Sequence, residues 1–251
     1  MKKIALKKVY IFFFSVLLFM LHLPFAFSSS KTIVVKKLSA AAVTVKNDIA
    51  ERAEVISGLY DNMGLGLKGL SEEAFSLGMQ GLDRLRESGT IINENLITIV
   101  DFTKPSSQKR MFVLDVQHQK ILFQTYVAHG QKSGKEFANQ FSNIPESYQS
   151  SLGFYETSGT YSGKNGYSMK LKGLESGINN KAEERAVVVH GAPYVSESFI
   201  RAQGYLGRSW GCPALPQELN KPIIDKIKNG SCLFIYSNNK NYLDHSKILN
   251  S

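Results

Sequence analysis

The chain has 251 residues, enough for one or two domains with a sizeable core, and its 43% hydrophobic and 20% charged content is ordinary for a globular protein. Its formal net charge is +9, of which four lysines lie in the first 28 residues with no acid among them, so the remainder carries +5. A moderately basic chain suits an acidic polymer or an anionic surface. The basic residues are scattered and show no basic–aromatic stripe, which argues against nucleic acid as a partner.

Lys2, Lys3, Lys7 and Lys8 precede an almost unbroken apolar run from Val9 to Leu21, and Ala26-Phe27-Ser28 supplies small residues at the spacing of a cleavage site. Residues 1–28 therefore read as a secretory signal peptide. The apolar run is short for a membrane span, which needs about 20 residues, and Pro24 follows it. The expected outcome is an exported protein with no stable membrane insertion after cleavage. No Cys lies near the cleavage region, which excludes a lipoprotein.

Residues 29–69 read as a linker and helical region. Ile49, Ala53, Ile56, Tyr60 and Met63 recur at intervals of three and four and share one helix face. Three glycines between Gly64 and Gly69 interrupt it. Ser71-Glu72-Glu73 then starts a second helix, with an N-capping hydroxyl and acids in the first turn. Phe75, Met79, Leu82 and Leu85 form its apolar stripe, and Gly89 stops it.

From Leu96 the texture turns to strands. Leu96–Val100, Arg110–Val116 and Lys120–Val127 are β-rich runs, the last two joined by a short turn at Gln117-His118-Gln119. Gln131–Ser151 reads as a long polar loop. Further strands are expected at Ser151–Glu156, Ser168–Lys172, Ala186–Val189 and Cys232–Tyr236. The Gly163-Lys164 pair fails as a phosphate loop, because its spacing is one short and Asn follows the Lys, so Ser158–Gly166 reads as a turn-rich hairpin loop. Ser196 caps a short helix, a second helix is expected from Pro222 to Lys228, and residues 239–251 read as a polar tail. The sum is a mostly β, α+β fold preceded by a helical region.

The chemistry concentrates between Arg185 and Leu215. An apolar run ends at His190-Gly191, and Gly207-Arg208-Ser209-Trp210-Gly211-Cys212-Pro213 follows. A Cys and a His, each at a strand end or tight turn, are the parts of a thiol nucleophile and its base. Cys232 sits in an apolar run as a small core residue, whereas Cys212 lies in a Gly- and Pro-flanked loop, so a free Cys212 is favoured over a 212–232 disulfide. His190 has two readings, base or core histidine. Backbone N–H groups around Gly211 and Cys212 could form an oxyanion hole, and Arg208 could stabilise a thiolate. No His stands at metal-ligand spacing with Cys212 or a carboxylate, and no Gly-x-Ser-x-Gly elbow is present.

Ile99-Val100-Asp101-Phe102, Val127-Ala128-His129-Gly130, Phe141-Ser142-Asn143, Ser151–Tyr155, Val188–Gly191 and Gly207–Leu215, in that order, resemble the murein L,D-transpeptidase catalytic domain family, a branch related to the YkuD-like cysteine transpeptidases. The resemblance implies a compact β-rich catalytic domain over residues 70–238. It implies Cys212 as nucleophile, His190 as base and Ser209 as the hydroxyl of the Ser/Thr-His-Gly-Cys box. Trp210 departs from that box, standing where the broader family has His. The departure throws weight onto His190 and leaves Arg208 or His129 as helpers at the substrate. The implied reaction attacks the third residue of a peptidoglycan stem, forms a thioester and passes the acyl group to a neighbouring stem's amine as a 3–3 cross-link. It implies no metal or organic cofactor, and a periplasmic or cell-wall setting. An L,D-carboxypeptidase using water as acceptor and a wall-binding protein with a degenerate site are the alternatives. A general cysteine protease has nothing in the residues to favour it.

Overall fold

The computed structural model describes residues 50–250. The expected signal peptide, the residues 29–49 and Ile49 of the first helical stripe lie outside them. Among the described residues no helix is long and apolar enough to cross a membrane.

The first helix, α1, covers 50–62, and its stripe buries Ile56 and, just beyond its end, Met63. Helix α2, Glu72–Glu87, is capped as expected: the Ser71 hydroxyl accepts the Ala74 N–H at 3.3 Å. Its end uses Gly89 at φ +64, with the Gly89 N–H returning to the Arg86 carbonyl. The buried face carries Phe75, Met79, Leu82 and Leu85, and also Gly78 and Gly81. A Cβ on Gly81 would stand 2.1 Å from the Phe154 ring, so the glycine sets how closely α2 approaches the sheet.

That sheet has eight strands in the order β3-β2-β1-β8-β4-β5-β6-β7. The strands are β1 Asn93–Asp101, β2 Met111–Asp115, β3 Lys120–Thr125, β4 Gly153–Gly163, β5 Gly166–Gly173, β6 Val188–Gly191, β7 Ala214–Leu215 and β8 Ser231–Tyr236. The central strand β8 pairs parallel with β1 and antiparallel with β4, and every one of its residues is buried. Its continuous apolar run is the mark of a strand covered on both faces. Phe154 of β4 stacks on Phe234 of β8 with ring centroids 4.1 Å apart. Ala128, three residues past the edge strand β3, bridges Ala214 in the opposite edge strand β7. The sheet thus curls towards a barrel and both edges are covered. The mostly β architecture with a preceding helical region is the one expected from the sequence.

Three local expectations are corrected. Ser158–Gly166 is not a loop: β4 and β5 run through it to a two-residue turn, with Gly163 opposite Gly166 and a bulge between Thr157 and Thr160. Antiparallel pairing overrides the Gly and Ser content of that stretch. Helix α4 runs Gln217–Ile227, so it starts a turn earlier than Pro222, which lies inside it. Helix α3, Glu197–Gln203, follows the Ser196 cap as expected, the hydroxyl accepting the Phe199 N–H at 3.3 Å. The polar tail forms α5, Lys240–His245, and α6, Lys247–Asn250. It docks because Tyr242 and Leu249 are buried and because Glu175, itself buried, accepts from the Tyr242 hydroxyl at 3.2 Å and from the Ser246 hydroxyl.

Candidate active site

Strands β6 and β7 pair in parallel, His190 opposite Ala214 and Gly191 opposite Leu215. Cys212, two residues before β7, therefore lies beside the start of β6. The Val188 N–H points at its sulfur at 3.5 Å, and the thiol faces the Ala186 carbonyl at 3.7 Å. Cys212 is half-buried, Cys232 is wholly buried in β8, and both thiols are free.

His190 is buried, and its Nδ1 lies 3.0 Å from the Gly191 carbonyl oxygen. A carbonyl only accepts, so Nδ1 carries the proton and Nε2 is left with its lone pair. Burial pushes the imidazole below the ordinary His range, with the Gly191 carbonyl opposing. Burial pushes the Cys212 thiol up, while the Val188 N–H, the Arg185 charge and the residue's own amide pull it down. The resting pair is a neutral thiol and a neutral imidazole. No hydrogen bond joins them; such contacts often tighten only when substrate is bound.

The turn carrying the thiol is held by Ser209. Its hydroxyl donates to the Cys212 carbonyl at 2.6 Å and accepts the Gly211 N–H at 3.0 Å. This changes the expected oxyanion hole. The Gly211 amide is already engaged, and the N–H groups that face the sulfur are those of Val188 and Cys212. Gly211 contributes conformation instead: its φ is +126, and a Cβ there would stand 2.7 Å from the Gln149 carbonyl.

The two helpers named from sequence, His129 and Arg208, and the departing residue Trp210 go to different places. His129 has no exposed surface. Its Nδ1 meets Arg110 Nη2 at 2.7 Å and its Nε2 lies 3.3 Å from the Gly134 carbonyl, leaving no ring atom for a substrate. Burial, with repulsion from Arg110, pushes it down to about 3. Arg208 donates to the Gly134 carbonyl at 3.2 Å and lies over the Tyr205 ring, on a basic cleft that it shares with Lys132 and Lys135. Trp210 is 69% exposed and meets Tyr148 edge-to-face, with centroids 5.6 Å apart.

Two residues near the sulfur escaped the sequence reading. Arg185 supplies the positive charge felt by Cys212. Its fork donates to the Ser142 carbonyl at 2.7 Å, the Gln149 carbonyl at 2.5 Å and the Ser151 hydroxyl at 3.1 Å. It precedes the β6 run by three residues, and only the fold turns it onto the long loop. Tyr194 is pushed up to about 12 by burial and then by the charge that Cys212 bears when it ionises. Its ring packs against Gly207, where a Cβ would stand 2.3 Å away.

The described residues thus form a curled β sheet that carries a free thiol just before β7 and a buried His in the paired strand β6. Residues 67–236 match the L,D-transpeptidase catalytic domain family, and the chain belongs to that family. Among solved structures it is similar to an L,D-transpeptidase from Mycobacterium smegmatis, at 13% identity and a TM-score of 0.36 over 57% of this chain and 59% of that one. It is also similar to the helical cell shape determining protein Pgp2 from Campylobacter jejuni, at 14% identity and a TM-score of 0.37 over 58% and 48%. The M. smegmatis match thus spans about 59% of that chain's length. No curated protein sequence matches the chain.

Proposed function

We propose that the chain is an exported, cysteine-dependent L,D-transpeptidase of the cell wall, with Cys212 as nucleophile and His190 Nε2 as its base. The observation that supports this reading is the β6–β7 pairing: Cys212, a free thiol, precedes β7 by two residues, and His190 lies in β6 with a tautomer that leaves Nε2 unprotonated. In the proposed step Nε2 takes the thiol proton as sulfur attacks the carbonyl of the third stem residue. The Cys212 N–H faces the developing oxyanion. The imidazolium returns the proton to the departing amine, leaving a thioester. A neighbouring stem's amine then attacks the thioester, giving a 3–3 cross-link and restoring the thiol. Arg185 steadies the thiolate. Arg208, with Lys132 and Lys135, supplies positive charge for substrate carboxylates. Family membership supports the acyl-transfer class.

The test is mass spectrometry of muropeptides after incubation with tetrapeptide-bearing peptidoglycan. Dimers with 3–3 links support transfer to an amine. Tripeptides alone mean that water resolves the thioester and the chain is an L,D-carboxypeptidase. Unchanged tetrapeptides reject both.

A further inference from the structure

Trp210 is the chain's only tryptophan. It is two residues from the proposed nucleophile and 69% exposed, so it adds little to the core. A single exposed apolar residue is ordinary, whereas contiguous exposed apolar surface marks a binding site. Its partner Tyr148 is also exposed, at 37%, and both Tyr148 and Glu146 hold positive φ, 54° and 59°, where non-glycine residues are rare. Such strain persists only when the surroundings enforce it. Here Lys132 N–H holds the Tyr148 carbonyl at 3.1 Å, Arg185 holds the next carbonyl, and the Ser150 hydroxyl donates to the Gly211 carbonyl at 3.0 Å. These bonds tie the Tyr148 loop to the turn bearing Trp210 and Cys212. The side-chain amide of Gln149, next to Tyr148 in sequence, donates to Gln140 Oε1 and the Lys132 carbonyl and so braces the same loop.

The geometry points to a saccharide subsite: the Trp210–Tyr148 pair binds a pyranose ring of the glycan strand, the sugar that carries the stem whose third residue Cys212 attacks. The inference rests on the proposed reading of the Cys212 site. A pyranose presents an apolar C–H face to aromatic rings and keeps its hydroxyl and acetamido groups at its edge, in water. Reach agrees. Two residues separate the Cα atoms of Trp210 and Cys212 by at most about 7 Å, and three stem residues span at most about 11 Å, so a thiol at the third residue leaves the sugar within the indole's range. Area favours a sugar over a protein partner. Two aromatic rings offer at most about 500 Å², whereas a stable protein interface needs about 800 Å² from each side.

The experiment uses Trp210 as its own reporter. Cys212→Ala protein is titrated with peptide-free β-1,4-linked N-acetylglucosamine oligosaccharides while tryptophan emission is followed. The expected result is a saturable blue shift, with affinity reduced about tenfold in the Cys212→Ala, Tyr148→Ala protein. With Cys212 intact, the kcat/KM preference for glycan-attached over free tetrapeptide stems should collapse towards unity in Trp210→Ala. Unchanged emission at millimolar oligosaccharide, or a preference that survives Trp210→Ala, overturns the subsite. Failure of the thioester reading is seen separately, as the absence of a carbapenem adduct on Cys212, and leaves the oligosaccharide titration intact.

Discussion

The Ser209 hydroxyl donates to the Cys212 carbonyl at 2.6 Å and so fixes the turn that presents the thiol. Because the same oxygen accepts the Gly211 N–H, one small side chain closes the turn from both sides. Removing it in Ser209→Ala leaves a buried donor unpaired at a cost of about 1–3 kcal/mol. The melting temperature should fall, and acylation should slow as the thiol loses its placement. Ser209→Thr keeps the hydroxyl and should recover most of both, which thermal melts alongside acylation kinetics will check.

The two thiols should separate cleanly. Intact-mass spectrometry with a carbapenem should show one adduct on the wild type, none on Cys212→Ala, and nearly wild-type labelling of Cys232→Ser, whose thiol is wholly buried. His190→Ala should slow adduct formation by about 10²-fold or more, the scale of a lost general base. Comparable rates in His190→Ala would reject His190 in that role.

The pH profile follows from a neutral pair. Proton transfer requires unprotonated His190, whose affinity for protons burial has lowered from an ordinary value of 6.5. Acylation should therefore stay on its plateau as pH falls to that value and decline only below it. A decline centred above 6.5 would contradict the burial argument.

Arg185 should matter to the thiolate as well as to the loop. Arg185→Gln removes a charge that pulls the thiol's pKa down, so the alkylation rate of Cys212 should rise at higher pH than in the wild type. It also removes hydrogen bonds from a charged donor, worth about 1.5–3 kcal/mol each. Arg185→Lys keeps the charge without the fork. It should restore the alkylation profile better than the melting temperature, a split that a purely structural role would not produce.

The docked tail predicts an acid-side effect. Burial raises the Glu175 carboxyl above its ordinary value, against the pull of Ser246, the Phe154 N–H and Tyr242. A raised folded pKa means that the folded state holds the proton more tightly. The associated stability is complete below the unfolded value and is lost as pH rises through the folded one. Glu175→Gln, which cannot ionise, should flatten this part of the melting-temperature profile. Glu175→Ala should lower stability at every pH by about 1–3 kcal/mol, because it strands buried donors.

Much of the fold was legible because it rests on local chemistry. The Ser71 and Ser196 caps, the Gly89 stop and the β2–β3 hairpin all follow from residues within a few positions of one another. The misreadings share a cause. Ser158–Gly166 looks like a loop until β4 and β5 satisfy each other's backbone, and the tail looks solvated until Glu175, far away in sequence, accepts its hydroxyls. The site divides in the same way. Cys212 and His190 stood out by residue type and setting, and Ser209 through the family resemblance. His129 had the same outward form as His190, a His-Gly pair after a strand, yet Arg110 holds it in the core.

The sequence alone determined the class of fold, the family and the sulfur on which the proposed chemistry turns, since strand periodicity, capping and a thiol in a glycine turn are written within short windows. Only the tertiary structure decided which charge faces that sulfur, which amides remain free and what Trp210 stands beside. Those depend on β6 meeting β7 and on a loop 60 residues upstream closing over Gly211, through the Ser150–Gly211 hydrogen bond and the bonds of Arg185. Long-range pairing of this kind depends on where the whole sheet curls, which no short window of sequence contains.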